Sequence, residues 1–203
     1  MLQNPIPQLI LASASASRRA LLAGAGLMFE VRPADVDEAT AKRDAWATGM
    51  SAETAALRLA DLKAAAIARH EPEALVIGAD QILVCDGAWY DKPSDIAEAR
   101  EQLCALRGRC HTLATGVVCQ QRGSRVWHDA ATPHLTMRNF SDDFLDRYLA
   151  AEADTVTSTV GAYRLEGLGM QLFDAIAGDH SAILGLPLLP LLSFLRQRRV
   201  LIV

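Results

Sequence analysis

The stretch from Gln8 to Ala23 constrains the fold more than any other. Gln8-Leu9-Ile10-Leu11-Ala12 has the unbroken apolar character of a buried strand. It empties into Ser13-Ala14-Ser15-Ala16-Ser17-Arg18-Arg19, and Ala20-Leu21-Leu22-Ala23 reads as the start of a helix. A buried strand feeding a helix through a short turn calls for layers of helix on sheet. The same turn has the chemistry of an anion site. N–H groups at a helix N-terminus lack partners, the helix dipole is positive there, and serine hydroxyls add donors. A guanidinium grips phosphate with two parallel bonds. The plainer alternative is a serine N-cap followed by two solvated arginines.

Downstream, helix and strand signals alternate. Ser51 caps a helix to about His70, with Glu53 in its first turn and Leu59, Leu62 and Ala66 as its apolar stripe. Ala74 to Cys85 is a long strand closed by the turn Asp86-Gly87. Asp95 and Glu98 have capping-box spacing for a helix to Leu106, and Gly108 is placed to stop it. Thr112 to Cys119 is a strand that Gln121-Arg122-Gly123-Ser124 turns back into Val126 to Ala131. His134 to Phe140 alternates weakly, and Ser141 caps a helix from Asp142 to about Ala151. Gly161, Gly167 and Gly169 punctuate a loop-and-strand region, and Pro187 suits the first position of a last helix ending in Arg196 to Arg199. Asp35 to Met50 is the least periodic segment and reads as a mobile loop with some helix. The pattern predicts an α/β domain with a mixed sheet, and 203 residues suit one domain, residues 1–203, in two lobes.

Charge narrows the partners. A net charge of −4 argues against a surface that coats nucleic acid or a polybasic membrane patch. A polyanion must then be held in a local basic pocket or by a divalent metal. The longest apolar stretch, Leu184 to Leu195, is interrupted by Pro187 and Pro190, so no membrane span is expected. The N-terminus lacks the basic, apolar and cleavage regions of a secretory signal. Cys85, Cys104, Cys110 and Cys119 form no C-x-x-C pair. Cys104, Cys110 and His111 are a poor zinc set, and reduced, buried thiols in a cytosolic protein are the better reading.

Asp80 is the strangest residue, a carboxylate between Leu75-Val76-Ile77-Gly78-Ala79 and Ile82-Leu83-Val84. A buried unpaired charge is costly, and Gly78 and Ala79 leave room for something to approach the backbone. Asp80 is either paired with a cation, turned to solvent, or a metal ligand or base. Lys63 follows Leu59 by four residues, at the edge of the buried stripe, where snorkelling is the ordinary explanation. Lys92, in Tyr90-Asp91-Lys92-Pro93, has its direction fixed by the proline. Asp37-Glu38 is an acidic pair in an expected loop. Together these supply acidic centres for a divalent cation and cations for phosphates, the equipment of metal-assisted phosphoryl or nucleotidyl chemistry. No G-x-x-x-x-G-K-[ST], no G-x-G-x-x-G after a strand and no G-x-S-x-G is present.

In order along the chain, these residues resemble the Maf family of nucleotide pyrophosphatases. Leu11-Ala12-Ser13-Ala14-Ser15-Ala16-Ser17-Arg18-Arg19-Ala20-Leu21-Leu22 is similar to the family's L-A-S-x-S-P-R-R-x-x-L-L. Asp37-Glu38 matches its D-E, Leu59 to Ala64 its L-A-x-x-K-A, Gly78-Ala79-Asp80-Gln81 its G-A/S-D-T/Q, and Lys92-Pro93 its K-P. Gly108 to His111 with Thr115-Gly116-Val117, then Gly161-Ala162-Tyr163, then Gly185-Leu186-Pro187-Leu188 complete the series.

The resemblance implies an elongated mixed β-sheet flanked by helices, two lobes with a central cleft, and often a homodimer. It implies hydrolysis of nucleoside triphosphates between the α- and β-phosphates, releasing a monophosphate and pyrophosphate. A divalent metal such as Mg²⁺ or Mn²⁺, a cytoplasmic location and a housecleaning role with a link to arrest of cell division come with it. Carried over by motif, Asp80 is the proton acceptor and Glu38 helps hold metal or water, so Asp80 and Glu38 are the metal ligands. Arg18, Lys63 and Lys92 hold the phosphates with Ser13 and Ser15, and Gln81 belongs to the substrate site. Two positions depart from the pattern. Ala16 replaces the family's proline, and Ser17 stands where one branch carries arginine and another tryptophan. Members handling dTTP and UTP tend to pair that arginine with Asp-Thr, and those handling 7-methyl-GTP pair the tryptophan with Asp-Gln. Asp80-Gln81 and Glu166-Gly167-Leu168-Gly169 fit the second branch, Ser17 neither, which leaves both base classes open. The rival reading is a nucleotide-binding regulator of division with little turnover.

Overall fold

The computed structural model describes residues 2–202. Its elements follow in chain order: β1 (Leu9–Leu11), α1 (Ala16–Gly24), β2 (Glu30–Val31), α2 (Glu38–Ala47), α3 (Ala52–Ala68), β3 (Leu75–Cys85) and β4 (Ala88–Tyr90). Then come α4 (Ile96–Leu106), β5 (Cys110–Gln121), β6 (Ser124–Ala131), β7 (His134–Met137), α5 (Asp142–Ala151), β8 (Phe173–Ala177), α6 (His180–Ile183) and α7 (Leu188–Gln197). Short 3₁₀ turns fill much of the segment between α5 and β8. The strands form one eight-stranded sheet of order β2-β1-β3-β5-β7-β8, with β4 paired to β3 and β6 to β5. β1 runs parallel to β2 and β3, while the hairpin pairs and β7 with β8 are antiparallel. The mixed α/β sheet expected from the sequence is therefore present. Among the described residues no helix is long and apolar enough to cross a membrane.

The chain divides into two compact units. The first comprises Met1–Gln81, Ala114–Ala131 and Asp179–Val203, and the second Ile82–Leu113 and Thr132–Gly178. In the first unit the pleat sorts side chains to two faces. Leu9, Leu11, Leu75, Ile77, Ala79, Val117 and Cys119 pack with Leu22 of α1 and Leu191, Phe194 and Leu195 of α7. Ile10, Ala12, Val76 and Val118 face the other way, onto Ala60, Ala64 and Ala68 of α3. That second face is built from small residues because helix and strand nearly touch. A Cβ on Gly78 would lie 2.1 Å from the Ala60 carbonyl oxygen, and one on Gly116 would lie 2.7 Å from the Leu57 nitrogen. In the second unit, Leu83, Leu103, Leu106, Leu135, Phe140 and Leu145 are buried.

Turn chemistry fixes the hairpins. Asp86 (φ 48°) and Gly87 (φ 81°) connect β3 to β4, and Arg122 (φ 52°) and Gly123 (φ 73°) connect β5 to β6. Two successive left-handed residues match the twist of paired strands, as the Asp-Gly signal implied. Ser51, Asp95 and Ser141 cap α3, α4 and α5 at the expected positions. Glu98 reaches back to the Ser94 N–H and hydroxyl rather than closing on Asp95.

Four local expectations need correction. Asp35 to Met50 is largely helical: Asp37 accepts from the Thr40 N–H and α2 follows, with little apolar patterning because only Ala45 is buried. Of the expected α3 stripe of Leu59, Leu62 and Ala66, Leu59 alone is buried. Leu62 is exposed, and the inward face is Ala55, Ala56, Leu59, Ala60, Lys63, Ala64 and Ala68, because the close approach at Gly78 sets the helix's rotation. Helix α1 begins at Ala16, a turn earlier than Ala20, because Ser15 supplies the cap. Cys85 and Cys119 are buried, but Cys104 and Cys110 are exposed.

Candidate active site

Two clusters of polar side chains are gathered within the first unit. One begins where β1 ends. Ser13 and Ser15 fold over the N-terminus of α1: the Ser15 hydroxyl accepts the Arg18 N–H at 3.4 Å, and the Ser13 hydroxyl accepts the Ser15 N–H at 3.3 Å. Arg18, in the first turn of the helix, points inward and is 9% exposed. Its Nη1 donates to the Ser13 hydroxyl at 3.0 Å and its Nε to the Gly185 carbonyl at 2.8 Å. Both partners are neutral, and among the described residues Arg18 makes no ion pair. Burial pulls the guanidinium below its usual pKa, while the more distant charges of Asp80 and Glu38 act in the opposite direction. A desolvated guanidinium on neutral acceptors is an unfinished arrangement that an anion completes. Arg19, by contrast, is an exposed helix residue.

The other cluster joins α2, α3 and β3. Lys63 projects from the small-residue face of α3 toward the strand, and its Nζ lies 2.5 Å from Asp80 Oδ1 and 2.8 Å from Glu38 Oε2. Lys63 and Asp80 are buried, whereas the Glu38 side chain is half exposed. Glu38 is the first residue of α2, so the helix that replaced the expected loop is what delivers it. The strange carboxylate of β3 is thus paired, and with a lysine that snorkelling alone does not explain. No other protein donor reaches Asp80 among the described residues.

A divalent cation fits this chemistry. Glu38 and Asp80 already converge on one cationic point, the ammonium of Lys63. Among the described residues no three His, Cys, Asp or Glu side chains form a complete cage. Two carboxylates with the remaining positions left to water and phosphate oxygens is the usual arrangement for Mg²⁺. Cys104, Cys110 and His111 do not assemble into a zinc site. Instead His111 is buried with Nε2 2.7 Å from the Tyr163 hydroxyl.

Gln81 follows Asp80 on β3 and so points to the opposite face of the sheet. Its amide donates to the Thr115 hydroxyl at 2.8 Å and to the carbonyls of Ala182 and Ile183 at 3.0 and 3.1 Å. Lys92 belongs to the second unit. It is exposed just after β4, and the buried Pro93 follows it. It is not part of either cluster within the first unit.

Sequence reasoning assigned no role to Thr115 or Gly185. Thr115 is fully buried and donates to the Ala182 carbonyl at 3.0 Å. Its signal was a hydroxyl inside the apolar run Leu113 to Val118, the same anomaly that exposed Asp80. Gly185 (φ 96°) acts through its backbone: a Cβ there would stand 3.1 Å from Arg18 Nε. No side-chain pattern could announce that contact.

The family model described as Maf-like protein matches residues 8–198. The chain is 55% identical over 196 residues to the nucleoside triphosphate pyrophosphatase of Granulibacter bethesdensis, an alignment covering 97% of this chain and 100% of the relative. It is 49% identical over 197 residues to the protein of the same name from Rhodospirillum rubrum, covering 97% and 98%. It is also 48% identical over 191 residues to the 7-methyl-GTP pyrophosphatase of Rhizobium meliloti, covering 94% and 96%.

Proposed function

The chain belongs to the Maf family, and from that premise we propose that it hydrolyses nucleoside triphosphates to a nucleoside monophosphate and pyrophosphate. The observation that carries the reading is the buried Arg18 guanidinium held by neutral partners, beside a helix N-terminus capped by Ser15. That arrangement is complementary to a phosphate chain in a protein whose net charge would otherwise repel one.

In this reading Arg18 and Ser13 grip the phosphates. Asp80 takes the proton of the attacking water at Oδ2 as the water oxygen bonds to the α-phosphorus and the bridging bond to the β-phosphate breaks. Pyrophosphate leaves with that bond's electron pair. Lys63 orients Asp80 through the hydrogen bond from its ammonium to Oδ1. Glu38 and Asp80 are the residues that would hold Mg²⁺ or Mn²⁺, which supplies charge neutralisation on the phosphates and a more acidic water.

A panel of dTTP, UTP, CTP and 7-methyl-GTP, each with Mg²⁺ or Mn²⁺, tests the reading. Release of pyrophosphate and monophosphate is expected. Orthophosphate as the product contradicts the bond assignment, and binding across the panel without turnover supports the regulator reading instead. The panel also separates the pyrimidine from the 7-methyl-GTP branch, which Ser17 leaves undivided.

A further inference from the structure

The second unit holds a cavity of about 380 Å³ that the nucleotide reading does not use. Trp89, Tyr90 and Asp91, at the end of β4 and just past it, line it together with Glu98, Glu101 and Gln102 of α4. Ala105 adds only a methyl group. The volume lies within the roughly 300–1,000 Å³ of small-molecule sites. The α4 positions follow helical spacing, so one face of the helix meets the cavity while Ala99, Leu103 and Leu106 enter the core.

Every charged residue in that lining is acidic. Glu98 accepts the Ser94 N–H at 2.7 Å and the Ser94 hydroxyl at 2.8 Å, which hold its carboxyl below the usual carboxylate range. Glu101 is exposed, and its side chain has neither a hydrogen bond nor an ion pair among the described residues. Gln102 is an independent sign of a ligand. It is 7% exposed, and its Nε2 donates to the Asp91 carbonyl at 3.0 Å and lies 3.5 Å from Glu98 Oε1. Both neighbours are acceptors, so the amide cannot be turned over. Its Oε1 is left buried with no donor among the described residues. An orphaned acceptor among carboxylates calls for a ligand that brings N–H donors and positive charge.

Two features select an organic cation over a metal ion. Among the described residues no three His, Cys, Asp or Glu side chains gather closely enough to hold a metal. The rings of Trp89 and Tyr90 offer surface that suits methylene groups and ammonium heads alike.

We propose that this cavity of the second unit binds a linear aliphatic polyamine, whose ammonium groups donate to Gln102 Oε1 and pair with Glu98 and Glu101 while its methylenes lie on Trp89. The site shares no residue with the Arg18 and Asp80 clusters, so its test is independent of the hydrolase reading.

Spermidine is the probe, titrated calorimetrically into the full chain at fixed ionic strength so that screening is constant. Saturable binding at one site per chain is expected. Tetraethylene glycol, an uncharged chain of similar length, should not bind. Glu101→Gln should weaken spermidine about threefold, Trp89→Leu about fivefold and Gln102→Leu about tenfold. These are the scales of an exposed charge, a cation–π contact and a buried hydrogen bond. Glu38→Gln should leave the affinity unchanged. Gln102→Leu also removes the bond to the Asp91 carbonyl; should that variant fail to fold, Glu101→Gln and Trp89→Leu decide the question.

Absence of saturable spermidine binding overturns the proposal. Binding that survives both Glu101→Gln and Trp89→Leu unweakened does so too, as does equal uptake of tetraethylene glycol. Loss of binding in Glu38→Gln would put the amine at the Lys63 cluster instead and overturn it equally.

Discussion

Lys63 Nζ and Asp80 Oδ1 lie 2.5 Å apart, a buried ion pair between residues separated by 17 positions in sequence. The two ends are not equivalent: Lys63 also holds Glu38, whereas among the described residues Asp80 has Lys63 alone. Asp80→Asn removes the proposed proton acceptor but leaves the ammonium paired. Turnover should fall at least a hundredfold, about the lower end of general-base contributions, with pyrophosphate release as the readout. Lys63→Met strands a buried carboxylate and should cost about 3–5 kcal/mol in denaturant unfolding. A larger stability loss from Asp80→Asn than from Lys63→Met would reverse the assigned roles.

Glu38 is the half-exposed member of the cluster, so its replacement should act on cation binding more than on folding. Chelation by EDTA is expected to stop pyrophosphate release, and Mg²⁺ or Mn²⁺ to restore it. Glu38→Gln should need about tenfold more metal for half-maximal rate, with unfolding free energy shifted by about 1 kcal/mol or less. An unchanged metal requirement removes Glu38 from the metal site.

Gly78 permits the contact on which the Lys63–Asp80 geometry depends. A Cβ there meets the Ala60 carbonyl oxygen at 2.1 Å and the Ala64 Cβ at 2.9 Å, backbone and core positions that cannot swing aside. Gly78→Ala should therefore destabilise by about 3 kcal/mol or more, as severe overpacking does. Gly26→Ala provides a contrast: nothing lies within 4 Å of its Cβ, so its cost is confined to the strain of a φ of 74°. Equal losses for the two variants, measured by denaturant unfolding, would contradict the packing argument.

His111 gives the protein an acid-sensitive core. The ring is 1% exposed, and its Nδ1 is buried without a partner among the described residues. Burial lowers its pKa from 6.5 to about 4. The unfolded chain therefore binds a proton at a higher pH than the folded one. The His111 contribution to stability is fully present above pH 6.5 and declines as the pH falls toward 4, by at most about 1.4 kcal/mol per pH unit. His111→Gln should flatten unfolding free energy against pH in that window, relative to wild type. Parallel curves for the two proteins would mean the ring titrates normally.

Much of this architecture was legible because it is written in local chemistry. Ser51, Asp95 and Ser141 cap helices wherever they stand, and the Asp86-Gly87 and Arg122-Gly123 turns need only their own backbone preferences. Asp80 stood out because a charge is anomalous inside an apolar run, and Arg18 because it follows a hydroxyl-rich turn at a helix N-terminus. What stayed hidden depends on the third dimension. The rotation of α3 follows from Gly78 and Gly116, residues of distant strands, so Leu62 looked inward and is not. Glu38 lies on a helix whose face buries only one alanine, too little for periodicity to register. Gly185 meets Arg18 through its own backbone carbonyl, and Thr115 and Gln81 both donate to the carbonyl of Ala182; backbone carbonyls carry no side-chain signature.

Asp80 and Gln81 share a peptide bond but look toward different neighbourhoods, one to Lys63 of α3 and the other to the end of α6. Adjacent positions on a pleated strand are thereby made mechanically independent. A substitution at residue 81 can change the contacts at the end of α6 while Asp80 keeps its surroundings. A deletion of one residue within β3 has no such freedom, because it would turn both side chains to the wrong face at once. The strand lets residues 80 and 81 be changed one at a time, provided its length is held constant.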